Sequence, residues 1–138
     1  MNEKKPVLEV FPNPFPQREY VVTHSNPEFT SVCPVTGLPD FGEIEVVFVP
    51  DELCVELKSL KYYFLSFRSK GIYYESVINE ILEDLAHAMK PRWIEVTGEF
   101  STRGGIHSTV VAKYTKDEDE LPTSDRVEIK MLEKKPDC

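Results

Sequence analysis

Cysteine is scarce and shows no pairing pattern. Cys33, Cys54 and Cys138 form an odd set with no CxxC spacing, which argues against a disulfide framework or a cysteine-rich zinc site. Histidine is as rare, with His24, His87 and His107 and no HExxH, so no metal is expected. Glycine is limited to six residues without a GxGxxG run, which excludes the Rossmann turn as a way of holding a dinucleotide. Cations are outnumbered, 16 Lys and Arg against 24 Asp and Glu for a net charge of −8, and that balance opposes binding to a phosphate backbone. No hydrophobic run approaches the ~20 residues of a membrane span. No apolar stretch follows the opening Met1-Asn2-Glu3-Lys4-Lys5-Pro6, so the expectation is a cytoplasmic protein with neither nucleic-acid nor membrane partner.

What is present is enough apolar residue, 41% of 138, to bury one ordinary core, and a single domain over residues 1–138 is expected. Proline is concentrated at the start: Pro6, Pro12, Pro14, Pro16 and Pro27 remove backbone donors and favour extended chain, so residues 1–30 read as an arm over the body or a neighbour. The run SVCPVTGLPDFG (residues 31–42) holds two prolines and two glycines and reads as a shaped loop.

Glu43 to Pro50 places Ile44, Val46 and Phe48 on one face, as a half-buried strand does, and Val55-Glu56-Leu57 reads as a second short strand. Ser59 to Arg68 is assigned to a short helix. Glu75 to Met89 repeats Ile78, Ile81, Leu82, Leu85 and Met89 at helical spacing, and Lys90-Pro91 ends it. Arg92 to Phe100 and Ile106 to Tyr114 alternate with period two and form an antiparallel hairpin through Gly104-Gly105. Lys116 to Glu120 reads as an acidic loop, and Val127 to Leu132 as an edge strand or subunit contact within the segment 115–138. The class is α+β, a four-stranded antiparallel sheet in the order ββααββ with its helices on one face. Its open edges favour pairing with another copy.

Cys33 precedes Pro34, a residue suited to the first position of a helical turn, whose free N–H groups favour a thiolate. The competing account is a small buried cysteine, which suits Cys54 better. Asp40 lies where the loop can bring its carboxyl to the same substrate atom as the sulfur, or serves only as a turn residue. Such a pair without a histidine base suits addition to an electrophile followed by proton delivery. Glu75 either complements the helix dipole or reads a ring N–H and amino group with both oxygens. Lys58, Lys61, Arg68 and Arg103, with the N–H groups of Gly104 and Gly105, are candidate phosphate ligands or solvated surface.

Taken together, SVCPVTGLPDFG, ELKSLKYYFLSFR, YYES and RGGI resemble the nitrile reductases of queuosine biosynthesis, the 7-cyano-7-deazaguanine reductases in their single-module form, from about Ser31 to Tyr114. The run Glu56-Leu57-Lys58-Ser59-Leu60-Lys61-Tyr62-Tyr63 matches that family's signature at each position. The resemblance implies the tunnelling fold, in which subunits join their sheets into a barrel, as a pentamer or decamer, with substrate sites between them. It implies reduction of 7-cyano-7-deazaguanine to 7-aminomethyl-7-deazaguanine with two NADPH, through a thioimide on Cys33 with Asp40 as proton donor. By the same resemblance Glu75 anchors the purine, with Tyr74 beside it where some members have histidine. Val55, Glu56 and Leu57 line the base, and Lys58, Ser59, Lys61 and Arg103-Gly104-Gly105 line the NADPH path. Two alternatives stand beside this reading: an amidine-forming enzyme that uses ammonia on the same thioimide, and a non-catalytic purine- or pterin-binding module.

Overall fold

The structure is a computed structural model and describes residues 4–133. In chain order its elements are β1 (Val7–Pro12), β2 (Val22–Val32), β3 (Pro39–Val49), β4 (Leu53–Val55), α1 (Leu57–Leu65), α2 (Tyr74–Met89), β5 (Trp93–Arg103), β6 (Ile106–Thr115) and β7 (Glu128–Met131). Four antiparallel strands pair in the order β2-β3-β5-β6, with both helices inserted between the two hairpins. Period-two alternation sets the inner face: Ile44, Val46 and Phe48 of β3 and Ile94, Val96 and Phe100 of β5 are buried, while Glu43, Glu45 and Glu99 face outward. Helix α2 lays Val77, Ile78, Ile81, Leu82, Leu85 and Met89 into that face, and ends at Lys90 in the left-handed region just before Pro91. Gly98 lets it approach, because a Cβ there would stand 2.5 Å from Ile78 Cδ1.

The expected ββααββ plan holds, but its first hairpin is built from other residues. The partner of β3 is β2, drawn from the segment read as an arm, and not Val55-Glu56-Leu57. Pro27 is tolerated there because β2 is an edge strand and its pairing with β3 shifts register between Asn26 and Phe29, where no ladder donor is needed. The rest of that segment is also integrated: β1 joins β4 antiparallel and β7 parallel in a second, three-stranded sheet. Val127 to Leu132 thus supplies an edge strand, as expected, while Cys138 lies outside the described residues.

Ser59 ties the second sheet to α1. It is buried, accepts from Glu9 N at 2.9 Å and donates to the Glu56 carbonyl at 2.8 Å. Glu56 caps the helix, its carboxylate accepting from Lys58 N and Ser59 N. A polar cluster fastens the segment after β6 to the helices: buried Asp84 accepts from the Tyr63 hydroxyl, from Ser124 Oγ at 2.6 Å and from Arg126 Nε at 3.2 Å.

Candidate active site

The loop between β2 and β3 is a tight connection closed by its own backbone. Cys33 N donates to Leu38 O at 2.8 Å, and Gly37 N to Cys33 O at 2.9 Å, with Gly37 at φ 74°, where a side chain would be strained. Pro34 opens the turn, as its position after Cys33 predicts, and the half-buried sulfur lies against the donors of that turn. The Thr36 hydroxyl, then the N–H groups of Thr36 and Val35, and to a smaller extent Arg103, lower the Cys33 thiol to about 7 against a small desolvation effect. A substantial thiolate fraction therefore exists at neutral pH without a histidine base.

Asp40 stands on β3, two residues beyond the Gly42↔Phe100 pair, and is 4% exposed. Its Oδ1 takes both of its hydrogen bonds, one from Arg103 Nη1 and one from the Tyr74 hydroxyl at 3.3 Å. Among the described residues Oδ2 has no donor, which leaves one carboxyl oxygen open. Tyr74 is held by its ring, which stacks on Phe100 at 3.8 Å between centroids and 7° between planes. Phe100 can occupy that place because residue 42 is glycine: a Cβ there would meet Phe100 Cδ1 at 2.8 Å. Burial raises the Tyr74 phenol above its ordinary value, so it stays protonated and able to donate.

Arg103 reaches this cluster through an irregularity in its own strand. Strict alternation from inward-facing Phe100 would turn residue 103 away, but the β5–β6 register shifts between Phe100 and Arg103 and re-aims the side chain. Gly104 and Gly105, at φ 57° and 81°, make the two-residue turn that follows. The Arg103 guanidinium is held in its charged form by Tyr74, Cys33 and Asp40, while 44% of its side chain stays accessible.

Cys33, Asp40, Tyr74 and Arg103 are thus brought together in one chain. Glu75 sits beside them in the first turn of α2, exposed, its carboxylate free of hydrogen bonds and ion pairs among the described residues. Lys58 and Lys61 are not brought there. They are exposed on α1, and Lys61 lines a cavity of about 290 Å³ with His24, Ser25 and Leu57. From His24 to Cys33 runs almost the whole of β2, roughly 25–30 Å of extended chain. Val55 is buried against β1, Leu57 is exposed at the start of α1, and the hydroxyl of Ser59 is taken up by the backbone contacts above, so its side chain is a strut and not a ligand group.

Two residues of this end escaped sequence reasoning. Thr36 lies inside the Cys33–Asp40 loop, and a hydroxyl three residues after a cysteine at the head of a turn was the available signal. Ser31 is fully buried, and its Oγ is the one buried side-chain polar atom without a partner among the described residues. A serine between Thr30 and Val32 in a largely polar strand carries no such signal. No group of three or more His, Cys, Asp or Glu among the described residues is placed to hold a metal ion, and no described helix is long and apolar enough to cross a membrane.

The model of the family described as QueF-like protein matches residues 39–119. An NADPH-dependent 7-cyano-7-deazaguanine reductase of Chlorobium phaeovibrioides is 62% identical over 112 residues, which cover 81% of this chain and 97% of that protein. The protein of the same name from Chlorobaculum tepidum is 57% identical over 112 residues, 81% and 96% of the two chains. Among solved structures, the apo archaeosine synthase QueF-Like superposes with a TM-score of 0.63 at 27% identity, covering 67% of this chain and 91% of the other.

Proposed function

The chain belongs to the QueF-like family, and on that premise we propose that it is an NADPH-dependent reductase that converts the nitrile of 7-cyano-7-deazaguanine to the aminomethyl group of 7-aminomethyl-7-deazaguanine. The observation that carries this reading is a cysteine thiol lowered to about 7 in one cluster with a buried carboxyl that keeps an oxygen open. Identity of 62% to a reductase, against 27% to an archaeosine synthase, favours reduction over amidine formation.

Cys33 is the nucleophile. Its sulfur bonds to the nitrile carbon as the C≡N π bond opens, and the nitrogen takes one proton, giving a neutral thioimide. Asp40 Oδ2 is the oxygen from which that proton is delivered, since Oδ1 is occupied. Two NADPH molecules, bound in turn, would each supply one hydride to this four-electron reduction. Asp40, reprotonated from solvent, serves the nitrogen at the later proton transfer, and Cys33 leaves as a thiolate, the C–S pair passing to sulfur as the C=N bond of the imine forms. Glu75, exposed with a free carboxylate one residue from Tyr74, is assigned the guanine-like edge of the base; the rim Val55-Glu56-Leu57, which leads into Lys58 at the other end of β2, borders that base only when it comes from a second copy of the chain.

The cations present suit a cofactor with phosphates. Lys58 and Lys61 lie one turn apart, exposed and without an ion pair among the described residues, and Arg103 adjoins the N–H groups of Gly104 and Gly105. Because the lysines and Arg103 stand at opposite ends of β2, one cofactor held by both sets draws them from two copies of the chain. The unpaired edges of β2 and β6 fit the same assembly, a pentamer or decamer. Light scattering that found only a 15.9 kDa particle would remove this part of the proposal.

The direct test is the intact mass of the protein after incubation with 7-cyano-7-deazaguanine and no NADPH. An adduct of the whole nitrile, absent in Cys33→Ala and cleared by NADPH, is expected. A folded protein that forms no adduct at saturating nitrile overturns the covalent reading.

A further inference from the structure

Ser31 and Asp40 are directly opposed in the β2–β3 ladder, so their side chains rise from the same face at neighbouring positions. One is a buried hydroxyl with no partner, the other a buried carboxyl whose bonds both fall on a single oxygen. Buried hydroxyls are rarely left unpaired, and one beside a reacting carboxyl is a partner held in reserve. Of the two donors on Oδ1, Tyr74 is fixed by its stack on Phe100, whereas Arg103 lies at a hairpin tip with 44% of its side chain accessible. Asp40 cannot follow a ligand outward. Arg103 can.

We infer that Ser31 is a positioning residue for Asp40: its hydroxyl takes up the carboxyl when Arg103 releases it to pair with a phosphate of the cofactor. This rests on the assignment of Arg103 to the cofactor made above. Asp40 in the free enzyme is bound by the Arg103 guanidinium and the Tyr74 hydroxyl. In the working state Tyr74 and Ser31 hold the carboxyl in place, with Oδ2 still turned to the nitrogen. Ser31 itself touches neither substrate nor cofactor in this scheme, being enclosed by protein.

The test measures NADP+ affinity by calorimetry, at fixed salt and without nitrile, for the wild type, Ser31→Ala, Arg103→Met and the double variant. Loss of the reserve partner strengthens the hold of Asp40 on Arg103, so Ser31→Ala should weaken NADP+ binding about fivefold while its melting temperature stays level or rises. In the Arg103→Met background the same substitution should leave affinity unchanged, because nothing remains to compete for. Asp40→Asn, which loosens Arg103 from the other side, should tighten NADP+ binding, again only when Arg103 is present. Unchanged affinity in Ser31→Ala, or an equal loss in both backgrounds, overturns the inference and leaves the reductase reading intact. Absence of NADP+ binding in every variant overturns both, and is told apart because no cofactor then binds at all.

Discussion

Asp40 and Asp84 keep nearly the same company. Each is buried, each accepts from one tyrosine and one arginine, and each arginine comes from a distant part of the chain with a third or more of its side chain exposed. The difference lies in how the carboxyl oxygens are spent. Asp84 uses both, Oδ2 toward Tyr63 and Oδ1 toward Ser124 and Arg126, and Arg126 is further clamped by Glu83 at 2.6 Å. Asp40 uses one, beside the Cys33 sulfur, whose thiol is lowered to about 7, and an unpartnered hydroxyl. The same three residue types therefore make a strut where the donors saturate the carboxyl, and the proposed reaction centre where they stop short.

The sharpest way to break this comparison is to neutralise each aspartate in turn. Asp40→Asn should lower kcat by roughly 10²–10⁴-fold, the range for loss of a positioned acid–base group, while the chemical unfolding midpoint barely moves. Asp84→Ala should do the reverse: about 2–4 kcal/mol lost in urea unfolding, as Tyr63 and Arg126 lose their acceptor, with kcat per folded molecule unchanged. Equal effects of the two substitutions on kcat would dissolve the distinction.

The tyrosines sharpen it further. Tyr63→Phe leaves an oxygen of buried Asp84 without a donor and should lower stability by about 1–3 kcal/mol. Tyr74→Phe keeps the stack on Phe100 and removes only one donor to Asp40, so the melting temperature should hold while turnover falls by about tenfold or less.

The smallest effect is expected at Thr36. With the Cys33 thiol at about 7, its alkylation by iodoacetamide should rise about tenfold per pH unit below that point, as protons leave the sulfur, and level off above it. Thr36→Val removes the largest of the influences that lower the thiol. The midpoint of the alkylation profile should then move upward, toward the ordinary thiol value of 9.0, and the rate at pH 7 should fall, while Thr36→Ser preserves both. An unshifted midpoint in Thr36→Val would assign the low value to the turn N–H groups alone.

Sequence by itself determined the parts of this protein whose physics is local. The 3.6-residue repeat of Ile78, Ile81, Leu85 and Met89 gave α2 to within a residue, and alternation gave the β5–β6 hairpin. Cys33 and Asp40 could be paired on paper because they flank one short loop, which the ladder then closes with Ser31 opposite Asp40. Tertiary structure decided whatever depends on which distant segments meet. Alternation says that a segment is a strand but not which strand it pairs with, so the partner of β3 had to be found in the proline-rich start, read at first as an arm. Arg103 is 63 residues from Asp40 and reaches it only because the ladder shifts register after Phe100. The unspent oxygen of Asp40 and the unpartnered hydroxyl of Ser31 are sums over all neighbours in space, and a linear pattern records only neighbours along the chain.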